Sequence, residues 1–271
     1  MTTNKKLVVI LGPTSSGKSD LAVMLAKEFN GEIISADSRQ VYQGMDIGSG
    51  KITKKETRGI PHHLLDVASP KRRFTVTRYK NLAQKVIKKV YQKDKLPIIC
   101  GGTGFYIQAV ADGIVIPEVK PDLKLREQLE KKKTESLFAI LEKIDPERVK
   151  NIDRNNRRRL IRAIEIIKKT KKPVPSLTAK KPDFSVLKIG IKVSKEELSD
   201  RIKKRLEKRL KQGMINEIKK LRNSGLSWKR LESFGLEYRF GSQFLQDKIN
   251  RKQMQEKIQK ESGYYAKRQM T

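Results

Sequence analysis

Residues 12–19 constrain this chain more than any other stretch, because they read Gly-Pro-Thr-Ser-Ser-Gly-Lys-Ser. An apolar run over 7–11 precedes them, and apolar residues at helical spacing follow over 21–26. A strand, a glycine-containing turn and a helix in this order, with the pattern G-x-x-x-x-G-K-[ST], are typical of a phosphate-binding loop. The backbone N–H groups of such a turn converge with the helix N-terminus on a phosphate or a diphosphate.

The side chains of this loop have separate predicted tasks. Lys18 would add a positive charge, and the hydroxyl of Ser19 would bind Mg²⁺, the expected cofactor. A chance match in a glycine-containing turn is the alternative interpretation. The residues predicted to bind the diphosphate are Gly12, Thr14, Ser15, Ser16, Gly17, Lys18 and Ser19.

Two further buried strands are predicted over 32–36 and 96–100. Asp37 follows the first strand, and residues at the carboxyl ends of parallel strands face the ligand crevice. Asp37 is therefore predicted to reach whatever the phosphate loop holds, with capping of a following helix as the alternative. The second strand ends in Gly-Gly-Thr-Gly, where the glycines allow close backbone approach and Thr103 could begin the next helix.

The composition changes at residue 117, beyond which the chain is highly charged, helical in pattern and without strand signals. A strand pattern returns over 186–193, followed by basic helices over 195–212, 214–224 and 250–268. We predict an α/β fold: a P-loop NTPase-like parallel sheet flanked by helices, with a helical insertion. The catalytic core would comprise residues 1–117 and 183–271, and the insertion residues 118–182. Residues 43–59 lack periodicity and predict a mobile loop.

The chain is strongly basic, with 62 Lys and Arg against 30 Asp and Glu and a net charge of +32. Such a field attracts polyanions, although a general bias toward lysine would explain part of the excess. Arg158 and Arg162 share one face of a predicted helix, where the alternative is a solvated charged surface. The single cysteine, the lack of an apolar span and the lack of a visible signal peptide predict a cytoplasmic protein without a membrane partner.

The phosphate loop alone leaves three reaction classes open: nucleotide hydrolysis, phosphoryl transfer to a small molecule, and a transfer in which diphosphate leaves. A hydrolase or kinase often carries a second acid at the end of a neighbouring strand, to hold Mg²⁺. The strand ending at Cys100 is followed by glycines instead. This pattern weakens the hydrolase interpretation.

Several motifs together resemble the bacterial tRNA dimethylallyltransferase family. They are residues 12–19, 34–42 (Ile-Ser-Ala-Asp-Ser-Arg-Gln-Val-Tyr), 44–48, 59–66, 101–106 and 266–269. The resemblance spans nearly the whole chain in the family's order, and the motif from 35 to 42 is far more specific than a phosphate loop. Members of that family usually continue beyond the Lys-Arg-Gln motif, whereas this sequence ends at Thr271.

The resemblance implies transfer of a dimethylallyl group from dimethylallyl diphosphate to N6 of adenosine 37 in a tRNA. Asp37 matches the family's proton-accepting aspartate, and Thr103 matches a position near the reacting base. Arg201 and Arg205 lie where the family has arginines near the diphosphate, with a solvated helix face as the alternative. We expect the tRNA anticodon stem-loop as partner of a monomer.

The resemblance also implies a set of residues that contact tRNA. The competing hypotheses are a kinase that uses ATP at the same loop and a non-catalytic RNA-binding module, for which the basic charge would suffice. The residues expected to contact tRNA are Asp37, Ser38, Arg39, Gln40, Thr103, Arg158, Arg159, Arg162, Ser233, Phe234, Gly235, Leu236, Glu237, Tyr238 and Arg239.

Overall fold

A computed structural model describes residues 5–117, 119–175 and 178–269 of the chain. The chain divides into two compact units. One unit comprises Met1–Gly113 and Lys181–Thr271, and the other comprises Ile114–Lys180. The sequence analysis places the corresponding boundaries at 117/118 and 182/183. Within the described ranges, no helix is both long and apolar enough to cross a membrane.

The larger unit is built on a parallel sheet whose described strands are β1 (Lys6–Leu11), β2 (Gly31–Ser35), β3 (His62–His63), β4 (Leu96–Cys100) and β5 (Ser185–Gly190). Their spatial order is β3-β2-β4-β1-β5, and every pairing is parallel. The central strands are almost wholly apolar because helices cover both faces of the sheet. The predicted P-loop NTPase-like α/β class is confirmed.

Helices connect and follow these strands. In the larger unit α1 (Lys18–Glu28), α2 (Val76–Tyr91) and α3 (Gly104–Ala111) precede the smaller unit, which holds α4 (Leu123–Glu130), α5 (Thr134–Ile144), α6 (Pro146–Val149) and α7 (Arg157–Thr170). The larger unit resumes with α8 (Lys195–Lys211), α9 (Met214–Asn223), α10 (Trp228–Glu232), α11 (Leu236–Phe244) and α12 (Arg251–Arg268).

Successive side chains of each strand point to opposite faces of the sheet, so the core of the larger unit consists of two layers. Val9 and Ile99 point to one face, where Tyr79 of α2 and Ile107 of α3 pack against them. The neighbouring side chains of the same strands point to the opposite face, where they meet α1. This packing holds the carboxyl ends of β1, β2 and β4 side by side, because their residues pair in register.

Buried carboxylates hold segments that lack regular structure. Glu217 of α9 accepts hydrogen bonds from the backbone N–H groups of Asp46, Ile47 and Gly48 at 2.8, 2.6 and 3.0 Å. The ammonium group of Lys51 donates to the carbonyl oxygen of Tyr42 at 2.9 Å and to the carboxylates of Asp46 and Asp66. Residues 43–59 therefore form an anchored series of turns, and the expected mobile loop is not what the structure shows.

Residues 233–239 form a short turn followed by the start of a helix. The turn comprises residues 233–235 and includes Gly235, whose φ of +126° favours glycine, and α11 begins at Leu236. Phe234 and Tyr238 are each 1% exposed and pack with Tyr42 in a core cluster. The two aromatic side chains therefore lie in the core, because removing apolar surface from water is favourable.

The smaller unit has its own apolar core and its own buried carboxylate. Leu137, Leu141 and Leu160 are fully buried between α5 and α7. Glu165 of α7, also fully buried, accepts two hydrogen bonds from the Arg126 guanidinium at 2.7 Å and one from Arg162. Burial alone would raise the pKa of Glu165, but these hydrogen bonds lower it.

Another buried carboxylate, Glu32 on β2, meets three basic groups at 2.7–3.1 Å. They are His63 Nε2 and the ammonium groups of Lys93 and Lys95. Burial would raise the pKa of Glu32, but the hydrogen bonds from His63, Lys95 and Lys93 outweigh it and lower the pKa to about 2. The ionised carboxylate therefore stabilises the fold, although Glu32 is only 1% exposed.

We expect Glu32→Gln to lower the free energy of unfolding at neutral pH by about 2 kcal/mol, the scale of hydrogen bonds to a charged group. Because the folded pKa lies below the ordinary value of 4.5, this contribution is fully present above pH 4.5 and is lost as the pH falls through about 2. Urea unfolding curves between neutral pH and pH 2 measure it. Glu28→Gln, at the exposed end of α1, is the control. A difference from wild type that stays constant down to pH 2 would contradict this assignment.

Candidate active site

The phosphate loop joins β1 to α1 in a tightly turned path. Gly17 precedes α1 with φ +91°, and Ser15 also has a positive φ of 64°. The ammonium group of Lys18 folds back and donates to the carbonyl oxygen of Pro13. The hydroxyl of Ser16 is buried without a hydrogen-bond partner in the described structure. A buried polar atom without a partner in such a loop suits a bound anion.

This loop forms one wall of a cavity of about 470 Å³. Asp37 lines the same cavity from the end of β2, as predicted from the parallel sheet. Helix α8 contributes Arg201 and Arg205, helix α12 contributes Tyr265, and Gln269 follows directly after the end of α12. The residues that line it from the phosphate loop and from the loop after β4 are Thr14, Ser15, Ser16, Gly17, Lys18, Ser19, Gly101 and Gly102.

Two cations at this cavity lack a carboxylate partner within the described residues. Arg205 donates to the hydroxyls of Thr14 and Ser15 at 3.0 and 3.3 Å. Burial, with the nearby charge of Arg209, lowers the pKa of Arg205 to about 10. Burial likewise lowers the pKa of Lys18 to about 8, and the charge of Arg205 adds to that effect. Partly buried cations without a carboxylate partner are stabilised by an anion, so the cavity is suited to bind one.

Arg201 differs from Arg205. Its guanidinium is paired with Glu197 one turn earlier on α8, and it reaches the carbonyl oxygen of Ser15 only at 3.5 Å. The structure thus brings both predicted arginines to the phosphate loop, but only Arg205 bonds to loop hydroxyls.

Asp37 uses one carboxylate oxygen to hold its own turn. Oδ1 accepts from the backbone N–H groups of Arg39 and Gln40 at 2.8 and 3.4 Å. This is a local turn contact and not the cap of a helix, since residues 37–41 form turns. Among the described residues Oδ2 has no hydrogen bond, which leaves it for chemistry in the cavity.

Thr103 links the loops that follow β2 and β4. It precedes α3, yet its hydroxyl does not cap that helix and accepts instead from the backbone N–H of Ser38 at 2.9 Å. Gly101 permits this approach, because a Cβ there would lie 2.3 Å from the carbonyl oxygen of Ala36. The expected helix start is thus correct in position, but the hydroxyl fixes the loop that carries Asp37.

The residues expected to contact tRNA in the larger unit separate into two groups. A Cβ at Gly235 would lie 3.5 Å from Nε of Arg39, so the turn before α11 meets the loop after Asp37. Ser38, Arg39, Gln40, Ser233, Gly235, Leu236 and Glu237 are partly exposed and Arg239 is exposed. The side chains of Phe234 and Tyr238 are buried, and the hydroxyl of Tyr238 donates to Glu217 at 2.8 Å. The expectation of tRNA contact is therefore corrected for these two side chains.

The arginines of α7 in the smaller unit also separate. Arg158 and Arg159 are exposed, and no hydrogen bond of their side chains occurs in the described structure. Arg162 instead pairs with buried Glu165 and donates to the carbonyl oxygen of Val119 at 3.0 Å. Arg162 thus supports the packing of the smaller unit, and its expected contact with tRNA stays a prediction.

Gln269, at the end of α12, is the site residue that the sequence analysis missed. Its Oε1 accepts from the backbone N–H of Thr14 at 2.8 Å, and its Nε2 donates to the carbonyl oxygen of Gly102 at 2.8 Å. In the sequence, only the resemblance of residues 266–269 to a family motif indicated this position, and that resemblance assigned no role to the side chain.

The donor groups at the cavity fit a magnesium–diphosphate complex better than a free metal ion. No cluster of three or more His, Cys, Asp or Glu suited to a metal occurs in the described ranges. Ser19 supplies an exposed hydroxyl at the cavity. Mg²⁺ usually keeps several waters and shares substrate phosphates, so one protein hydroxyl is compatible with it.

Comparisons with known proteins agree on one family. A sequence model of the IPP transferase family matches residues 40–271. The chain is 41% identical over 270 residues to tRNA dimethylallyltransferase 1 of Syntrophus aciditrophicus, covering 98% of this chain and 88% of that protein. It is 39% identical over 276 residues to the tRNA dimethylallyltransferase of a Thermoanaerobacter species, with coverage of 98% and 88%.

Solved structures support the same assignment. The full-length tRNA isopentenylpyrophosphate transferase of Bacillus halodurans superposes with a TM-score of 0.72 at 36% identity, covering 99% of this chain and 86% of that one. A eukaryotic dimethylallyltransferase captured acting on tRNA gives a TM-score of 0.77 at 28% identity, with coverage of 98% and 69%. The phosphate loop, the cavity and these similarities lead to one conclusion: the chain belongs to the IPP transferase family of tRNA dimethylallyltransferases.

Proposed function

We propose that this protein transfers a dimethylallyl group from dimethylallyl diphosphate to N6 of adenosine 37 in tRNAs, releasing diphosphate. The observation that carries the proposal is one cavity lined by a phosphate loop, by two partly buried cations without carboxylate partners in the described residues and by the carboxylate of Asp37. A cavity with this pairing suits a reaction in which an anion leaves while a proton is removed. Family membership favours this reaction over the kinase and the RNA-binding module.

The proposed reaction balances as a substitution at C1 of the dimethylallyl group. The C1–O bond breaks and its electron pair leaves with the diphosphate, while the N6 lone pair forms the new C1–N bond. The adenine amino group is a poor nucleophile because its lone pair is delocalised into the ring. Asp37 accepts the N6 proton as the bond forms, and Thr103 contributes by holding the backbone beside Asp37.

The phosphate loop stabilises the charge that develops on the leaving diphosphate. Residues of the loop, Lys18 and Arg205 line one cavity, so loop N–H groups, the ammonium and the guanidinium would share the binding of one diphosphate. Mg²⁺, held by the hydroxyl of Ser19, would neutralise part of the diphosphate charge when bound.

The proposed tRNA contacts involve both units. In the larger unit the loop 37–40 lies against the turn at Gly235, and we expect both to contact the tRNA near the target base. The target adenosine lies in the anticodon loop, where unstacking a base costs less free energy than in a duplex. In the smaller unit Arg158 and Arg159 are free to meet phosphates of the anticodon stem-loop. The proposal keeps a monomeric enzyme, and a tRNA substrate supports a cytoplasmic location.

Mass analysis of tRNA nucleosides after incubation with dimethylallyl diphosphate tests the function directly. We expect N6-dimethylallyladenosine to appear only when both substrates are present. ATP consumption that is independent of the prenyl donor would support the kinase instead. Binding of tRNA without any product would support the RNA-binding module.

We expect Asp37→Asn to reduce the single-turnover transfer rate by at least about 100-fold, because an amide accepts no proton. Asn keeps the oxygen that holds the turn, so the Kd for tRNA should change little, and Asp37→Ala should abolish transfer. Asp94→Asn, in an exposed turn after α2, is the matched control. Equal losses of transfer and of tRNA affinity would contradict the proton-accepting role.

We expect the affinity for dimethylallyl diphosphate to fall as the pH rises through about 8, because the pKa of Lys18 in the free enzyme lies there. Loss of this charge should raise the Kd by about 10-fold, as expected for a hydrogen bond to a charged group. Titration calorimetry between pH 7 and pH 9 measures the effect. Lys18→Met should bind weakly at every pH, whereas Lys203→Met, on the exposed side of α8, should keep the wild-type profile. A flat wild-type profile would contradict the assignment.

We expect Arg158→Ala with Arg159→Ala to weaken tRNA binding and to flatten its dependence on salt, by about 0.7–0.9 in log–log slope for each phosphate that is no longer neutralised. Filter binding at several salt concentrations measures the slope. Lys131→Ala with Lys132→Ala removes the same charge from another exposed part of the smaller unit. An effect no larger than that of this control would show that the two arginines act only through net charge.

A further inference from the structure

The side chain of Gln269 connects two loops that come from different strands. The pairing of β1 with β4 ends at Ile10 and Cys100, and beyond it the phosphate loop and the loop 101–103 continue as separate segments. Gln269 joins them there, since its carboxamide bonds to Thr14 N–H and to Gly102 O at 2.8 Å each. The hydroxyl of Tyr265, one helical turn earlier, approaches the same Gly102 oxygen at 3.4 Å.

The connection continues to the proposed base. Gly102 is followed by Thr103, whose hydroxyl accepts from the Ser38 N–H next to Asp37. Gly101 lies against the backbone of Ala36 on the other side of Asp37. A path of hydrogen bonds and short backbone segments thus runs from the phosphate loop through Gln269 to the loop that carries the carboxylate.

We propose that Gln269 is a positioning residue, which sets the distance between the leaving diphosphate and the carboxylate that accepts the proton. The inference rests on the proposed function, because it assumes that the donor occupies the phosphate loop and the adenine amino group approaches Asp37. Transfer rates depend steeply on such distances, and a displacement of about 1 Å can cost about 100-fold.

The contacts of Thr14 favour positioning over a latch that keeps phosphate out. Thr14 is held by its N–H to Gln269 and by its hydroxyl to Arg205, so the loop is gripped from two sides. A residue that only kept phosphate out of the loop would need only the hydrogen bond to the Thr14 N–H. The carboxamide of Gln269 also donates to the carbonyl oxygen of Gly102. Helix α12 supplies a firm base, since Met254, Ile258 and Ala266 are buried along it and a capping box begins it.

The test measures three quantities on the full chain: the single-turnover transfer rate, the Kd for inorganic diphosphate and the Kd for tRNA. For Gln269→Ala we expect the rate to fall about 10- to 100-fold while both Kd values stay close to wild type. Gln255→Ala, on the same helix and without a side-chain hydrogen bond in the described structure, should behave as wild type. Tighter diphosphate binding by Gln269→Ala would show a latch, and an unchanged rate would show no positioning role.

Two further variants keep the test decisive if Gln269→Ala folds poorly. Gln269→Glu retains an oxygen for Thr14 N–H but cannot donate to Gly102, and its charge should also raise the Kd for diphosphate.

Thr103→Val removes the hydroxyl that accepts from the Ser38 N–H and so interrupts the same path. Gln269→Ala should therefore reduce the transfer rate less in that background than in wild type. Fully additive losses would overturn the shared path. Wild-type transfer with an unaffected Gln269→Ala would refute only this inference, whereas absence of wild-type transfer would refute the proposed function.

Discussion

The burial of positive charge beside the phosphate loop is the constraint on which this site depends. Lys18 and Arg205 are both removed from water far enough to lower their pKa values, and neither has a carboxylate partner in the described structure. A cation in that state is unfavourable until an anion arrives. The parallel sheet, the start of α1 and the central turns of α8 together hold these charges in place, so the fold is arranged around an anion that substrate must supply.

Carboxylates serve the opposite purpose elsewhere in the molecule. Glu217, Glu32 and Glu165 are buried and accept several hydrogen bonds each, and they hold loops and helix faces that apolar packing does not reach. This chain has 30 acidic residues against 62 basic ones, so most of its basic side chains have no acid to neutralise them. The net charge of +32 therefore attracts a polyanion such as tRNA even after these ion pairs are formed.

Sequence reasoning succeeded where a function depends on adjacent residues. The phosphate loop, the strand that delivers Asp37 and the glycines after β4 could all be predicted, because their geometry follows from strand, turn and helix preferences over a few positions. It failed where the neighbours are distant. Helical spacing grouped Arg158 with Arg162, and the same spacing places Glu165 beside Arg162. Only the tertiary structure shows that Glu165 is buried and also binds Arg126, which lies 39 positions earlier in the chain. The family resemblance implied contact with tRNA for Phe234 and Tyr238, whereas the apolar cluster around Tyr42 buries both side chains.

The amino-acid sequence by itself determined the class of fold, the anion-binding loop and the strand ends at which Asp37 and Thr103 lie, since local backbone preferences and strand alternation decide these. Only the tertiary structure decided which groups meet: Arg205 with Thr14, Thr103 with Ser38, and Gln269 with Thr14, whose positions in the chain differ by 255 residues. The physical reason is that hydrogen bonds and charge pairs act over a few ångströms in space. No local pattern records which distant segments the packing of the sheet and helices will bring within that range.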